Sequence, residues 1–170
     1  MSINTKQLRE LVIQPVLESL EAGGIPYSEV ARELLLMIAA HESKMGHYIR
    51  QVGCTDGVGA YDIYQIELAT ESDTWSNYIN YRDNLGKSMS SFIKSIDTTK
   101  RVPNRLLTCD LAYQTAIARV ILYRAPEKLP EVGDYKGMAK YCKKYWNTEL
   151  GKATWEDYLY AYKKYYGGGY

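Results

Sequence analysis

The chain has 170 residues, with 21 Lys and Arg against 20 Asp and Glu, so its net charge of +1 directs it to neither nucleic acid nor a charged membrane surface. That length fits one domain, residues 1–170, able to bury roughly two-thirds of its unfolded surface. No run approaches the ~20 apolar residues of a membrane span, so no membrane insertion is expected.

In chain order, Asn4 or Thr5 caps a first helix through about Ala22, with Leu8, Leu11 and Val12 at core spacing. Pro15 sits inside that pattern and predicts a kink or two short helices, and Gly23-Gly24 ends it. Ser28 caps a second, central helix with Val30, Leu34, Met37, Ile38 and His41 along one face. Glycines at 46, 53, 57 and 59 then break the helical pattern, and Ala60 to Ile66 predicts a short strand or extended edge. Helical patterns return at Thr70 to Ile79 and at Leu85 to Ile96, followed by a polar loop, Asp97 to Asn104. A helix from Arg105 to Arg124 turns Leu106, Tyr113, Ile117, Val120 and Ile121 inward, and Pro126 and Pro130 stop it. Two more helices follow, Tyr135 to Trp146 and Thr154 to Tyr165, before a tail of Gly-Gly-Gly-Tyr. Met138, Tyr141, Cys142 and Tyr145 share one helical face, which makes Cys142 buried and inert. The predicted class is mostly α, with a short irregular β or loop segment after the central helix.

Chemistry concentrates after Leu34. Seven apolar residues, Leu34 to Ala40, lead into His41-Glu42-Ser43. Glu42 continues the stripe of Leu35 and Ala39, so its carboxyl is expected at the end of a buried helix. Desolvation and the negative end of the helix dipole both favour the neutral acid there. A Glu reaching water from a frayed helix end is the competing reading. His41 and His47 are six apart with Gly46 between them, which fails the one-face spacing of two zinc ligands. No Ser sits in a strand–elbow–helix context, and no Gly-Lys-Ser/Thr phosphate loop is present. Cys54 near His47 leaves a thiol–imidazole pair as a formal option. Cys54, Cys109 and Cys142 are odd in number and far apart, which suits reduced thiols rather than a disulfide framework. Carboxylate chemistry remains. Glycosidic cleavage needs an acid on the leaving oxygen, and a second group that stabilises the cationic centre or activates water. Glu42 fits the first role; Asp56, Asp62 and Glu67 are open for the second. Tyr61, Tyr64 and Gln65 alternate beside them and offer stacking faces and an amide suited to sugar.

Glu42-Ser43, a glycine-rich gap, and Gly59-Ala60-Tyr61-Asp62-Ile63-Tyr64-Gln65-Ile66 resemble the lysozyme-like superfamily, specifically soluble lytic transglycosylases and goose-type lysozymes. Their signature is a Glu-Ser at the end of a core helix followed by Gly-Ala-x-Gly-Leu-Met-Gln. The strong part covers about Ala31 to Thr70, and Tyr141 to Thr154 is similar to the ending of small phage-encoded proteins of this type. The resemblance implies a lysozyme-like helical fold without cofactor or metal, acting on peptidoglycan glycan strands. Glu42 would protonate the oxygen between N-acetylmuramic acid and N-acetylglucosamine, Ser43 would orient the site, and Gln65 would bind sugar. Asp62 departs from the signature by replacing its second Gly. Ala112-Tyr113-Gln114 is the nearest echo of a later Ala-Tyr-Asn-x-Gly motif, which brings in Tyr113 as a sugar contact. Asp56 stands where goose-type lysozymes carry a water-positioning Asp and transglycosylases often carry Ser, so it tilts the expectation toward hydrolysis; an Asp-Gly turn is the plainer account of the same residue. The start MSINTKQLRE shows no signal peptide, so the expectation is a phage protein made in the host cytoplasm that reaches the cell wall at lysis or entry. The alternative is a non-catalytic virion protein that keeps the fold, binds glycan and assembles with other virion proteins.

Overall fold

A computed structural model describes residues 2–54, 59–93, 105–147 and 151–166. Asp56, the loop Asp97 to Asn104 and the tail from residue 167 lie outside the described residues. The fold is mostly helical, with one two-stranded sheet among the described residues.

The N-terminal region is one helical run of changing pitch. Asn4 caps α1 (Thr5–Gln7) by accepting the Gln7 N–H at 3.0 Å. A π-helix (Leu8–Ile13) leads into α2 (Gln14–Ser19), and a 3-10 turn (Leu20–Gly23) closes on Gly24 at φ 88°. Pro15 accounts for the change of pitch, because it offers no N–H and its ring crowds the carbonyl one turn back. The wider turn satisfies Gln14 N–H at the Arg9 carbonyl instead. It also rotates Leu11 outward: Leu8 is buried, but Leu11 is 71% exposed, which corrects the expected inward face.

The centre is α3 (Glu29–Glu42). Ser28 has extended backbone and its Oγ accepts the Ala31 N–H at 3.2 Å, as expected of its cap. Val30, Ala31 and every residue from Glu33 to Ala40 are buried, because α3 is covered by α7 (Leu111–Tyr123), α8 (Tyr135–Cys142) and α9 (Trp155–Tyr166). Each Leu or Ile so enclosed contributes roughly 1.5–3 kcal/mol. Glu33, on the buried face, accepts from Tyr162 of α9 at 2.6 Å and lies near Arg9 and Arg32.

After α3 comes a hairpin, β1 (Ala60–Tyr61) and β2 (Ile66–Glu67), antiparallel with Ala60 opposite Glu67 and Tyr61 opposite Ile66. Residues 49–51 line its other edge through Gln51 N–H to Ala60 O and Asp62 N–H to Ile49 O, both 2.9 Å. Then follow α4 (Leu68–Asn77) and α5 (Asp83–Ile93). The single helix expected from Arg105 to Arg124 is two, α6 (Arg105–Cys109) and α7, because Asp110 leaves helical geometry and accepts the Ala112 and Tyr113 N–H groups. Leu107 rather than Leu106 is the fully buried residue there. α8 passes into a π-turn, Lys143–Asn147, which the expected helix to Trp146 did not contain. Cys142 is fully buried, as its spacing predicts.

Candidate active site

Glu42 ends α3 at the wall of a cleft of about 680 Å³. The cleft lies between the loop after α3, the hairpin and the π-turn after α8. Lys44, Tyr48, Arg50 and Gln51 line one side, Gln65 and Glu67 the hairpin, and Trp146 and Asn147 the π-turn. Two features of the chain hold this shape. The loop after Ser43 turns through left-handed backbone at Lys44, Met45 and Gly46, with φ 53°, 56° and 74°. Ser43 ties that turn, its Oγ donating to Ala39 O and accepting the Gly46 N–H at 2.8 Å. At the hairpin, Gly59 has φ 92°, and a Cβ there would stand 2.7 Å from Cys54 Sγ, so only glycine fits.

The Glu42 side chain is 18% exposed. Its Oε1 accepts from the Tyr158 hydroxyl of α9, and His41 Nδ1 lies 3.2 Å from the same oxygen. His41 stacks on Tyr158 with ring centroids 4.0 Å apart. Burial, reinforced by the Glu42 charge, pushes the Tyr158 phenol well above its ordinary 10.0, so it stays a proton donor. Oε2 has no hydrogen-bond partner among the described residues. One carboxyl oxygen is thus pinned and the other is unengaged, on a residue that lines the cleft. Cys142 lies close enough for Glu42 to act on it, but burial above all keeps it a thiol.

No family model, curated protein or solved structure matches the chain. The site therefore stands on its own geometry.

The other expected site residues divide into two groups. Gln65 and Glu67 line the cleft with Glu42. Gln65 has φ 55° and its Nε2 donates to Asp62 O at 2.8 Å, which leaves its amide oxygen for the cleft. Ser43 is buried and acts through the turn rather than on a ligand. Asp62, Tyr61, Tyr64 and Tyr113 are all buried and do not line the cleft. Asp62 sits at φ 68°, a conformation glycine takes freely and Asp tolerates, and its Oδ1 accepts the Tyr64 N–H. The carboxyl is thereby folded into its own turn, and Oδ2 is buried without a partner. Desolvation raises its pKa well above the ordinary 3.8. Tyr61 packs under Arg50, whose guanidinium is 5.8 Å from its ring centroid. Tyr64 bonds Thr115 across the core at 2.9 Å, and its carbonyl accepts Trp146 Nε1 at 3.2 Å, which fixes Trp146 at the cleft. Tyr113 donates to Glu71 and accepts from Trp75 Nε1 at 2.9 Å, a separate cluster under α4.

Sequence reasoning missed Tyr158, Trp146 and Lys44. For Tyr158 a signal existed in the buried i, i+4 pair Tyr158 and Tyr162 of α9, each with a polar tip that must find an acceptor.

No group of three metal-ligating side chains lies together among the described residues, and no helix of those residues is long and apolar enough to cross a membrane.

Proposed function

We propose that the protein is a peptidoglycan-cleaving glycosidase with a lysozyme-like fold, and that Glu42 is the general acid at the β-1,4 bond between N-acetylmuramic acid and N-acetylglucosamine. The observation that carries this reading is the half-engaged carboxyl. Tyr158 and His41 hold Oε1, Oε2 has no hydrogen-bond partner among the described residues, and Glu42 lines a cleft of about 680 Å³. A proton on Oε2 passes to the glycosidic oxygen as the bond to the anomeric carbon breaks, and the Tyr158 hydroxyl steadies the carboxylate left behind. Amides of Gln51, Gln65 and Asn147 suit sugar hydroxyls and acetamido groups, and Tyr48 and Trp146 offer stacking faces.

The second half of the reaction has two forms. Glu67 is the other carboxylate among the described residues that line the cleft, and would hold water for hydrolysis. A muramyl 6-hydroxyl attacking within the substrate needs no such base and gives an anhydro end. Mass spectrometry of released fragments separates them, reducing ends for a hydrolase and anhydro-muramyl ends for a transglycosylase. The decisive variant is Glu42→Gln. Its amide oxygen still accepts from Tyr158, so the melting temperature stays close to that of the native chain, while clearing of purified cell walls is lost. Clearing that persists in this variant rules out Glu42 as the acid. Tight binding to insoluble peptidoglycan by the native chain, without soluble fragments, identifies a glycan-binding protein instead, a role in which it would act within a virion.

A further inference from the structure

Lys44 is placed by a costly piece of backbone. Left-handed conformation is disfavoured for residues that carry a Cβ, yet Lys44 and Met45 both adopt it in succession before Gly46. The surroundings over-determine the turn: Met45 is fully buried, its N–H bonds Ala39 O, and its carbonyl accepts the Ile3 N–H at 2.8 Å. The result is that the residue two beyond Glu42 lines the cleft with its ammonium 5.3 Å from the Tyr48 ring centroid. The side chain is exposed, and no carboxylate stands within ion-pair distance of it among the described residues.

An ammonium is a compact, strongly hydrated point charge. Sugar hydroxyls and acetamides give it little that water does not. A carboxylate does, through an attraction that water and salt weaken at an exposed side chain but do not abolish. Resting on the sugar-cleft reading above, we propose that Lys44 is a specificity residue that recognises a carboxylate carried on the glycan, beside the bond Glu42 cleaves. The ligand class is therefore a muramyl strand with free lactyl carboxyls, as where no peptide is attached, rather than one whose lactyl groups are amides or the neutral polymer of N-acetylglucosamine. Tyr48 holds the ammonium in place through its ring face.

The test compares cleavage of two forms of one substrate: soluble glycan strands stripped of peptide, with free lactyl carboxylates, and the same strands with those carboxylates converted to methylamides. The native chain should show a KM about three- to fivefold lower for the acidic form, a preference that fades as salt is raised. Lys44→Gly should erase the preference by raising KM for the acidic form alone, with kcat unchanged. Glycine adopts the left-handed turn freely, so its melting temperature should be no lower. Lys44→Arg should keep the preference. Equal KM for both forms in the native chain, or the same loss on both forms in Lys44→Gly, overturns the role of Lys44 and leaves the glycosidase reading standing. A folded native chain that cleaves neither form overturns both.

Discussion

Asp62→Asn isolates what a carboxyl costs when it is folded into a buried turn. The native side chain is fully buried, Oδ1 holds the Tyr64 N–H, and Oδ2 has no partner. Asparagine tolerates the left-handed φ of 68° and keeps the Oδ1 bond, so the change removes chiefly the buried charge. An unsatisfied buried acceptor costs about 1–3 kcal/mol, more when charged, and the amide leaves a weaker orphan in its place. The variant should be about 2 kcal/mol more stable at neutral pH, or roughly 4–8 °C in Tm for a chain of this size. The pH dependence has a definite sign. Burial, with a smaller contribution from Glu71, raises the folded pKa well above 3.8. Between the unfolded and folded values the native state binds the extra proton, so native stability falls as pH rises through that window. The advantage of Asp62→Asn is therefore small near pH 4 and grows toward neutrality. Thermal melts of both chains from pH 4 to pH 8 measure it. Parallel curves would refute the buried-charge argument. Loss of wall clearing by a well-folded Asp62→Asn would return Asp62 to the reaction, against its burial.

Two further substitutions probe the site's supports. Tyr158→Phe keeps the ring that stacks on His41 but removes the donor to Glu42, so kcat on cell walls should fall about tenfold with KM little changed, the amount expected from losing one hydrogen bond of ~1.4 kcal/mol; an unchanged kcat would remove Tyr158 from the mechanism. Gly59→Ala places a Cβ 2.7 Å from Cys54 Sγ and 2.9 Å from Gln51 Oε1 at φ 92°. Backbone and packing strain together should cost about 3 kcal/mol and lower Tm by roughly 6–12 °C in a thermal melt, and a smaller loss would mean that the Cys54 loop gives way.

The central helix was legible because three local signals agree there: the Ser28 cap, the seven apolar residues from Leu34, and the glycines that follow. Gly59 was legible for a similar reason, since the turn into the hairpin needs left-handed backbone that glycine adopts freely. Gln65 was singled out by its amide and its place in the Gly59 to Ile66 motif, and its left-handed φ of 55° was not read. Asp62 misled in the opposite direction. A carboxylate in a polar-looking loop reads as a cleft residue, and only the left-handed turn shows that it has been taken inward. Tyr64 and Tyr61 alternate with their neighbours as cleft residues would, but the tight turn between β1 and β2 buries both. Leu11 was placed by α-helical spacing that the π-turn before Pro15 breaks. Asp110 carried a readable capping signal, masked by apolar residues on both sides. Tyr158 carried only the generic signal of a buried tyrosine paired with Tyr162: it is one of seventeen tyrosines, and its meeting with Glu42 across 116 positions of chain is invisible to local spacing.

That separation gives the molecule an order of events. α3 carries Glu42, but the hydroxyl that holds its carboxyl comes from α9, and the Trp146 wall of the cleft precedes α9 by only a short stretch. Closing so long a loop follows the formation of local helices. During synthesis, a chain that has released α3 and the hairpin but not α9 has the Glu42 carboxyl without the hydroxyl that braces it. On the proposed glycosidase reading, competence to act on glycan arrives late, when α9 docks against α3.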